Sequence, residues 1–92
     1  MNDGVTGSPR PARSVVILYS AGHECSLCDK AKAALDVVAK ESGLAFTVVD
    51  VDEDPDLDDR YGMRIPVLSI DGADVLEGRI DAAAIRRVLG PP

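Results

Sequence analysis

The sequence predicts an α/β domain with its elements in the order βαβαββα, on three observations. A β-branched run gives way to a run whose apolar residues recur at spacings of three and four, so a strand is followed by a helix. Two short apolar runs are joined by Asp71-Gly72, the kind of dipeptide that most strongly favours a tight hairpin. The last helical segment is punctuated at both ends, by Asp81 before it and Gly90 after it.

The first strand is SVVILY, Ser14 to Tyr19, whose unbroken apolar character is that of a strand buried on both faces. From Cys28 onward Ala31, Leu35 and Val38 fall on one helical face with Lys and Asp opposite, and the helix ends near Gly43. LAFTVVDV, Leu44 to Val51, is the second strand. A short helix follows, with Asp54 as N-cap and Pro55 in the first helical position. IPVLSI, Ile65 to Ile70, and ADVLE, Ala73 to Glu77, are the two arms of the hairpin. Asp81 caps the last helix while Ile80 and Ile85 form a hydrophobic staple, and Gly90 ends it before Pro91 and Pro92. Residues 1–13 are rich in Gly, Pro and Ser without apolar period and cannot offset the entropy of ordering. They are expected to be a flexible tail, which leaves residues 14–92 as one domain.

With 92 residues, 46% of them apolar, the chain fills one small core and has no room for a second domain. The formal net charge of −6 offers no basic surface to a phosphate backbone, which argues against nucleic acid as a partner. No apolar run approaches the roughly 20 residues of a membrane span, and the first residues lack the apolar centre of a secretory signal. The expectation is a monomer in the cytoplasm, with no membrane partner.

Both cysteines stand in GHECSLCDK, Gly22 to Lys30, where strand turns to helix. A reducing compartment disfavours a structural cross-link, and so short a loop gives the chain-entropy model only about 2 kcal/mol to work with. Cys25 falls at the exposed first turn, where free backbone N–H groups and the helix dipole favour a thiolate; it is the expected nucleophile. Cys28 lies inward, three residues on and within disulfide reach, and is the expected resolving thiol. Glu24 and Asp29 oppose ionisation of the nucleophile, whereas a charged His23 favours it. Zinc is the competing use, with Cys25, Cys28, His23 and Glu24 as ligands. Four ligands within six consecutive residues make poor tetrahedral geometry, and no second Cys or His pair exists to close the site. No metal or other cofactor is therefore expected. Asp50, Asp52 and Asp54 match the first ligand places of a calcium loop, but Pro55 and Tyr61 stand where that loop needs Gly and Glu.

The strand before CSLC, the helix after it, and RIPVLSIDG following the acidic DVDEDPDLDDRYG together resemble the thioredoxin superfamily, and within it the small glutaredoxin-like proteins. The resemblance spans Ser14 to Leu89. It implies a thioredoxin-like fold of glutaredoxin type, a four-stranded mixed sheet flanked by three helices. It also implies that Pro66 is cis and faces the cysteines, and that the Ile65 backbone pairs with an extended substrate segment. Glutathione-using members carry a Pro-Tyr or similar pair between the cysteines, a basic residue three before the first, and Gly-Gly-x-Asp before the last helix. Here those places hold Ser26-Leu27, Gly22, and Glu77-Gly78-Arg79-Ile80-Asp81. Arg64 or Arg79 would have to supply the missing cation, and Arg64, beside the Ile65-Pro66 turn, is the candidate substrate-binding residue. The expected activity is thiol–disulfide exchange on a protein disulfide or a low-molecular-weight thiol, with glutathione a poor partner, within cytosolic redox homeostasis. The alternative is a non-enzymatic metal-binding or redox-sensing module that uses the same cysteines.

Overall fold

A computed structural model of the protein describes residues 15–22 and 25–90; the predicted tail 1–13, together with Ser14, His23, Glu24, Pro91 and Pro92, lies outside the described residues. Strand β1 is Val16–Ser20, helix α1 Ser26–Ser42, strand β2 Thr47–Asp50, helix α2 Pro55–Tyr61, strand β3 Val67–Ile70, strand β4 Ala73–Glu77 and helix α3 Ala82–Leu89. A single 3-10 turn, Val51–Glu53, joins β2 to α2. The strands form one mixed sheet in the order β2-β1-β3-β4, with β1 and β2 parallel and the other neighbours antiparallel. This is the thioredoxin-like arrangement of four strands and three helices.

The α1 stripe and the alternate residues of β1 and β3 build the main core. Val16, Leu18, Ala31, Leu35, Val38, Leu68, Ile80 and Ile85 pack together, with Leu18, Leu35, Leu68 and Ile85 wholly buried. Burying each such side chain is worth about 1.5–3 kcal/mol, which suffices to hold α1 and α3 on this face. Across the sheet a smaller cluster of Val51, Tyr61 and Val67 is covered by Tyr19, Leu57 and Ile65. Helix α2 shields only that end of the second face, so Ile17 and Tyr19 are half-buried and β1 is not buried on both faces as its composition predicts. The second strand is shorter than the apolar run Leu44 to Val51, because Val51 leaves the ladder to fill the smaller cluster from the 3-10 turn.

Caps fall where the sequence places them. Gly43 ends α1 in the left-handed region at φ 67°, with its N–H donating to the Ala39 carbonyl. Asp54 accepts from the Asp56 N–H at 2.9 Å and Asp81 from the Ala84 N–H at 2.8 Å. The hairpin turn takes φ 52° at Asp71 and 85° at Gly72, the double positive φ that Asp-Gly tolerates. Asp71 also ties the turn to the start of β1. Its N–H donates to the Val15 carbonyl and its Oδ1 accepts from the Val15 N–H, both at 2.8 Å.

Candidate active site

Register brings four separate segments to one end of the sheet. Ser20 is level with Asp50 in the parallel pair, Tyr19 with Val67 across β3, and Val67 with Glu77 across β4. The segments just beyond these residues are therefore neighbours: Gly22 with Cys25 to Cys28, Asp50 to Asp52, Arg64 to Pro66, and Glu77 to Asp81. This end lies outside the carboxyl ends of the two parallel strands, where α/β sheets place their ligand sites.

Cys25 is the N-cap of α1, with extended backbone at φ −156° and ψ 100°. Its sulfur accepts a hydrogen bond from the Cys28 N–H at 3.1 Å. A side chain in this position satisfies one of the donors that a helix start leaves unpaired, and the positive end of the dipole favours negative charge on it. Cys28, one turn in, is buried beneath it, while Cys25 is half-buried instead of fully exposed. The two are joined in a disulfide with a Cα–Cα distance of 5.2 Å. Of the residues between them, Ser26 and Leu27 both face solvent.

The approach to Cys25 is held by carboxylates. The Gly22 N–H donates to Asp52 Oδ2 at 3.1 Å, and the Asp52 N–H donates to Asp50 Oδ1 at 2.8 Å. A Cβ at Gly22 would run into the Asp50 carboxylate, whose Cγ would be only 2.7 Å away. The position three before the first cysteine thus presents carboxylates and no cation, and a side chain there would have to turn Asp50 aside. His23 and Glu24 are outside the described residues, and among those described no group of three or more His, Cys, Asp or Glu is arranged to hold a metal.

On the opposite flank the Ile65–Pro66 peptide bond is cis, and the Pro66 carbonyl accepts from the Gly78 N–H at 2.8 Å. The Ile65 N–H is used within the chain, donating to the Tyr61 carbonyl at 3.0 Å, which leaves its carbonyl for any pairing with an incoming strand. Arg64 is also engaged. Its Nε and Nη2 donate to Glu77 Oε1 at 3.1 and 2.9 Å, and Nη2 reaches Asp74 Oδ2 at 3.4 Å. The guanidinium stands 5.3 Å from the Tyr61 ring centroid, and the Tyr61 hydroxyl donates to Asp74 Oδ1 at 3.1 Å. Tyr61 in turn stacks on Tyr19, with ring centroids 4.1 Å apart. Hydrogen bonding to Glu77 raises the Arg64 pKa further, so the group is a permanent cation. Burial, then the adjacent Tyr61 and Asp74, pushes the Tyr19 hydroxyl above its ordinary value near 10.0.

The partnership of Arg64 with Asp74 and Glu77 is not visible in the sequence. Residues three apart in a regular strand point to opposite faces, so Asp74 and Glu77 are not expected to share a partner. In the structure Leu68 pairs with Leu76 but Ser69 with Asp74, so Val75 is an extra residue and the ladder is bulged. The bulge turns both carboxylates to the face of Tyr61. Nothing in ADVLE signals it.

A model of the glutaredoxin-like domain family (DUF836) matches residues 15–90. The chain belongs to this glutaredoxin-like family. Comparison with curated proteins finds no match. Among solved structures, the glutaredoxin-like domain is similar to protein XcR50 from X. campestris at 36% identity, covering 82% of this chain and 95% of that one with a TM-score of 0.68. It is similar to protein Ne2328 from Nitrosomonas europaea at 26% identity, covering 98% and 100% of the two chains with a TM-score of 0.70. A thioredoxin variant from Halobacterium salinarum matches at 28% identity and a TM-score of 0.62, covering 89% of this chain and 75% of that one. A glutaredoxin-like fold with a disulfide across a C-x-x-C pair points to redox chemistry. No helix among the described residues is long and apolar enough to cross a membrane.

Proposed function

We propose that the protein is a thiol–disulfide oxidoreductase acting as a monomer in the cytoplasm, with Cys25 as nucleophile and Cys28 as resolving thiol. The observation that carries the reading is the Cys25 sulfur in the N-cap position, accepting from the Cys28 N–H with Cys28 buried beneath it. In the reduced protein the same N–H and the helix dipole stabilise a Cys25 thiolate. That thiolate attacks one sulfur of a substrate disulfide; a mixed disulfide forms, and the other substrate sulfur leaves as a thiolate that takes up a proton. Cys28 loses its proton and attacks Cys25, forming the Cys25–Cys28 disulfide and expelling the second substrate thiol. Two electrons pass to the substrate, and a dithiol reductant restores the pair. The Ile65 carbonyl and Pro66 line the side on which an extended substrate segment lies, with Arg64 at its margin.

Protein disulfides are the preferred substrates, and glutathione is a poor one. Gly22 replaces a cation and is closed in by Asp50 and Asp52, and Arg64 already holds two carboxylates. Each charge-assisted hydrogen bond missing from an anionic thiol removes about 1.5–3 kcal/mol of recognition. The test is turnover of an unstructured protein disulfide under a dithiol reductant, with free thiols counted before and after reduction and zinc measured in the purified protein. Turnover that disappears in Cys25→Ser is expected. Stoichiometric zinc with no reducible disulfide would replace this reading with a non-enzymatic metal-binding module.

A further inference from the structure

We propose that Glu77, assisted by Asp74, is a specificity-determining residue that occupies the Arg64 guanidinium and so denies it to the carboxylate of an anionic small-thiol substrate. The inference rests on the redox reading above and assigns the cause of its substrate preference. Arg64 is two residues before Pro66, and its side chain is 36% exposed, so an incoming carboxylate can reach it. A guanidinium recognises a carboxylate best through a pair of parallel N–H donors on one edge. The Nε and Nη2 edge is the one Glu77 takes, and Asp74 lies against the same Nη2. One cation facing two carboxylates leaves the group net negative, so an arriving anion must displace Glu77 or approach against its charge.

The arrangement is built, not incidental. The bulge at Val75 places Asp74 and Glu77 on one face, the Tyr61 hydroxyl fixes Asp74, and the Tyr61 ring lies under the guanidinium. On the other flank Gly22 carries no side chain and the Asp50 carboxylate stands where a Cβ would be, so this chain sets no cation there. Arg79 and Lys30 line a separate groove with Leu27 and Asp81 between the starts of α1 and α3, and together with Arg60, 5.9 Å from the Tyr61 ring centroid, they are rival positive charges among the described residues.

The experiment measures binding to the oxidised protein, which needs no turnover. S-methylglutathione and its diester are titrated by chemical-shift perturbation against wild type, Glu77→Gln, Asp74→Asn, Arg64→Gln/Glu77→Gln and Arg79→Gln/Glu77→Gln. Freeing the guanidinium should tighten binding of the acid by about tenfold in Glu77→Gln, and by less in Asp74→Asn, with the diester unchanged. The gain should vanish when Arg64 is also replaced and persist when Arg79 is. No gain in either single variant overturns the proposal, as does a gain that survives loss of Arg64 or appears equally with the diester. Turnover of a protein disulfide by wild type is recorded in parallel. Its absence would remove the redox reading while the binding series still decides the role of Glu77.

Discussion

Cys25 carries a local instruction that a sequence can show: a thiol at the first turn of a helix with a second thiol one turn inward. The half-buried Cys25 and buried Cys28 lead to an ordered reactivity in the reduced protein. Iodoacetamide should modify Cys25 well before Cys28, as read by peptide mass; equal or inverted rates would reverse the assignment of roles. Gly22 carries a different instruction, legible only with the fold in hand. A Cβ there would meet the Asp50 carboxylate, and its N–H donates to Asp52; both aspartates arrive from the far side of the crossover. Gly22→Ala should cost up to about 1 kcal/mol, because the group it meets is the end of a side chain that can turn aside. The loss should shrink in Gly22→Ala/Asp50→Ala, which removes the obstructing carboxylate. A double variant no better than the single one would mean that the alanine is resisted by something other than Asp50. The Arg64 cluster was hidden for a related reason, since a one-residue bulge changes which carboxylates share a face without leaving a mark in composition.

At the scale of elements, the helices were legible because their ends are written in short-range chemistry. Asp54, Asp81 and Gly43 take the capping geometry their residue types favour, and the Asp71-Gly72 turn does likewise. Replacing Asp81 by Ala should lower stability by about 1 kcal/mol, seen as a lower urea midpoint at unchanged slope. An unshifted midpoint would show that packing of Ile80 and Ile85 alone holds α3. Strand limits were less legible. The apolar run Leu44 to Val51 mixes residues that pack from a loop with residues that pair, and only the ladder to β1 separates them. The joint between α1 and α3 is also tertiary: Arg86 donates to Glu41 from Nε at 3.1 Å and from Nη2 at 2.8 Å. Those hydrogen bonds hold the Glu41 carboxyl below its ordinary value of 4.5. A depressed folded-state pKa means stability present above the unfolded value and lost as pH falls through the folded one. The gap in urea midpoint between wild type and Glu41→Gln should therefore be open near neutrality and close in acid below the carboxylate range. A gap that stays constant with pH would mean that the charge contributes nothing.

The whole molecule brings the cysteine pair and the cis-proline turn to one end by topology. The parallel β1-β2 pair sends its connections there, and the antiparallel β3 and β4 bring Pro66 and Glu77 to the same level. The resemblance of CSLC and a distant Ile-Pro to glutaredoxin-like proteins anticipated that convergence, while periodicity alone supplied only the order of elements. What neither supplied is the face of the sheet on which Tyr19, Tyr61, Arg64, Asp74 and Glu77 assemble. That assembly has a pH signature. The Tyr19 pKa is raised chiefly by burial, so the folded state holds its proton more tightly than the unfolded chain does. Stability is then complete below the unfolded value near 10.0 and declines as pH rises beyond it. Tyr19→Phe should flatten that alkaline decline in thermal unfolding, and an unaltered decline would place its origin elsewhere.

The central claim is that Cys25 opens a substrate disulfide and Cys28 releases it. The measurement that bears on it most directly is intact-mass analysis of reduced Cys28→Ser and Cys25→Ser proteins after mixing with a protein disulfide. The account predicts a stable mixed disulfide through Cys25 in the Cys28→Ser variant and none in the Cys25→Ser variant, because only the first retains the nucleophile and lacks the thiol that resolves it. An adduct through Cys28 alone, or no adduct in either variant, would contradict it.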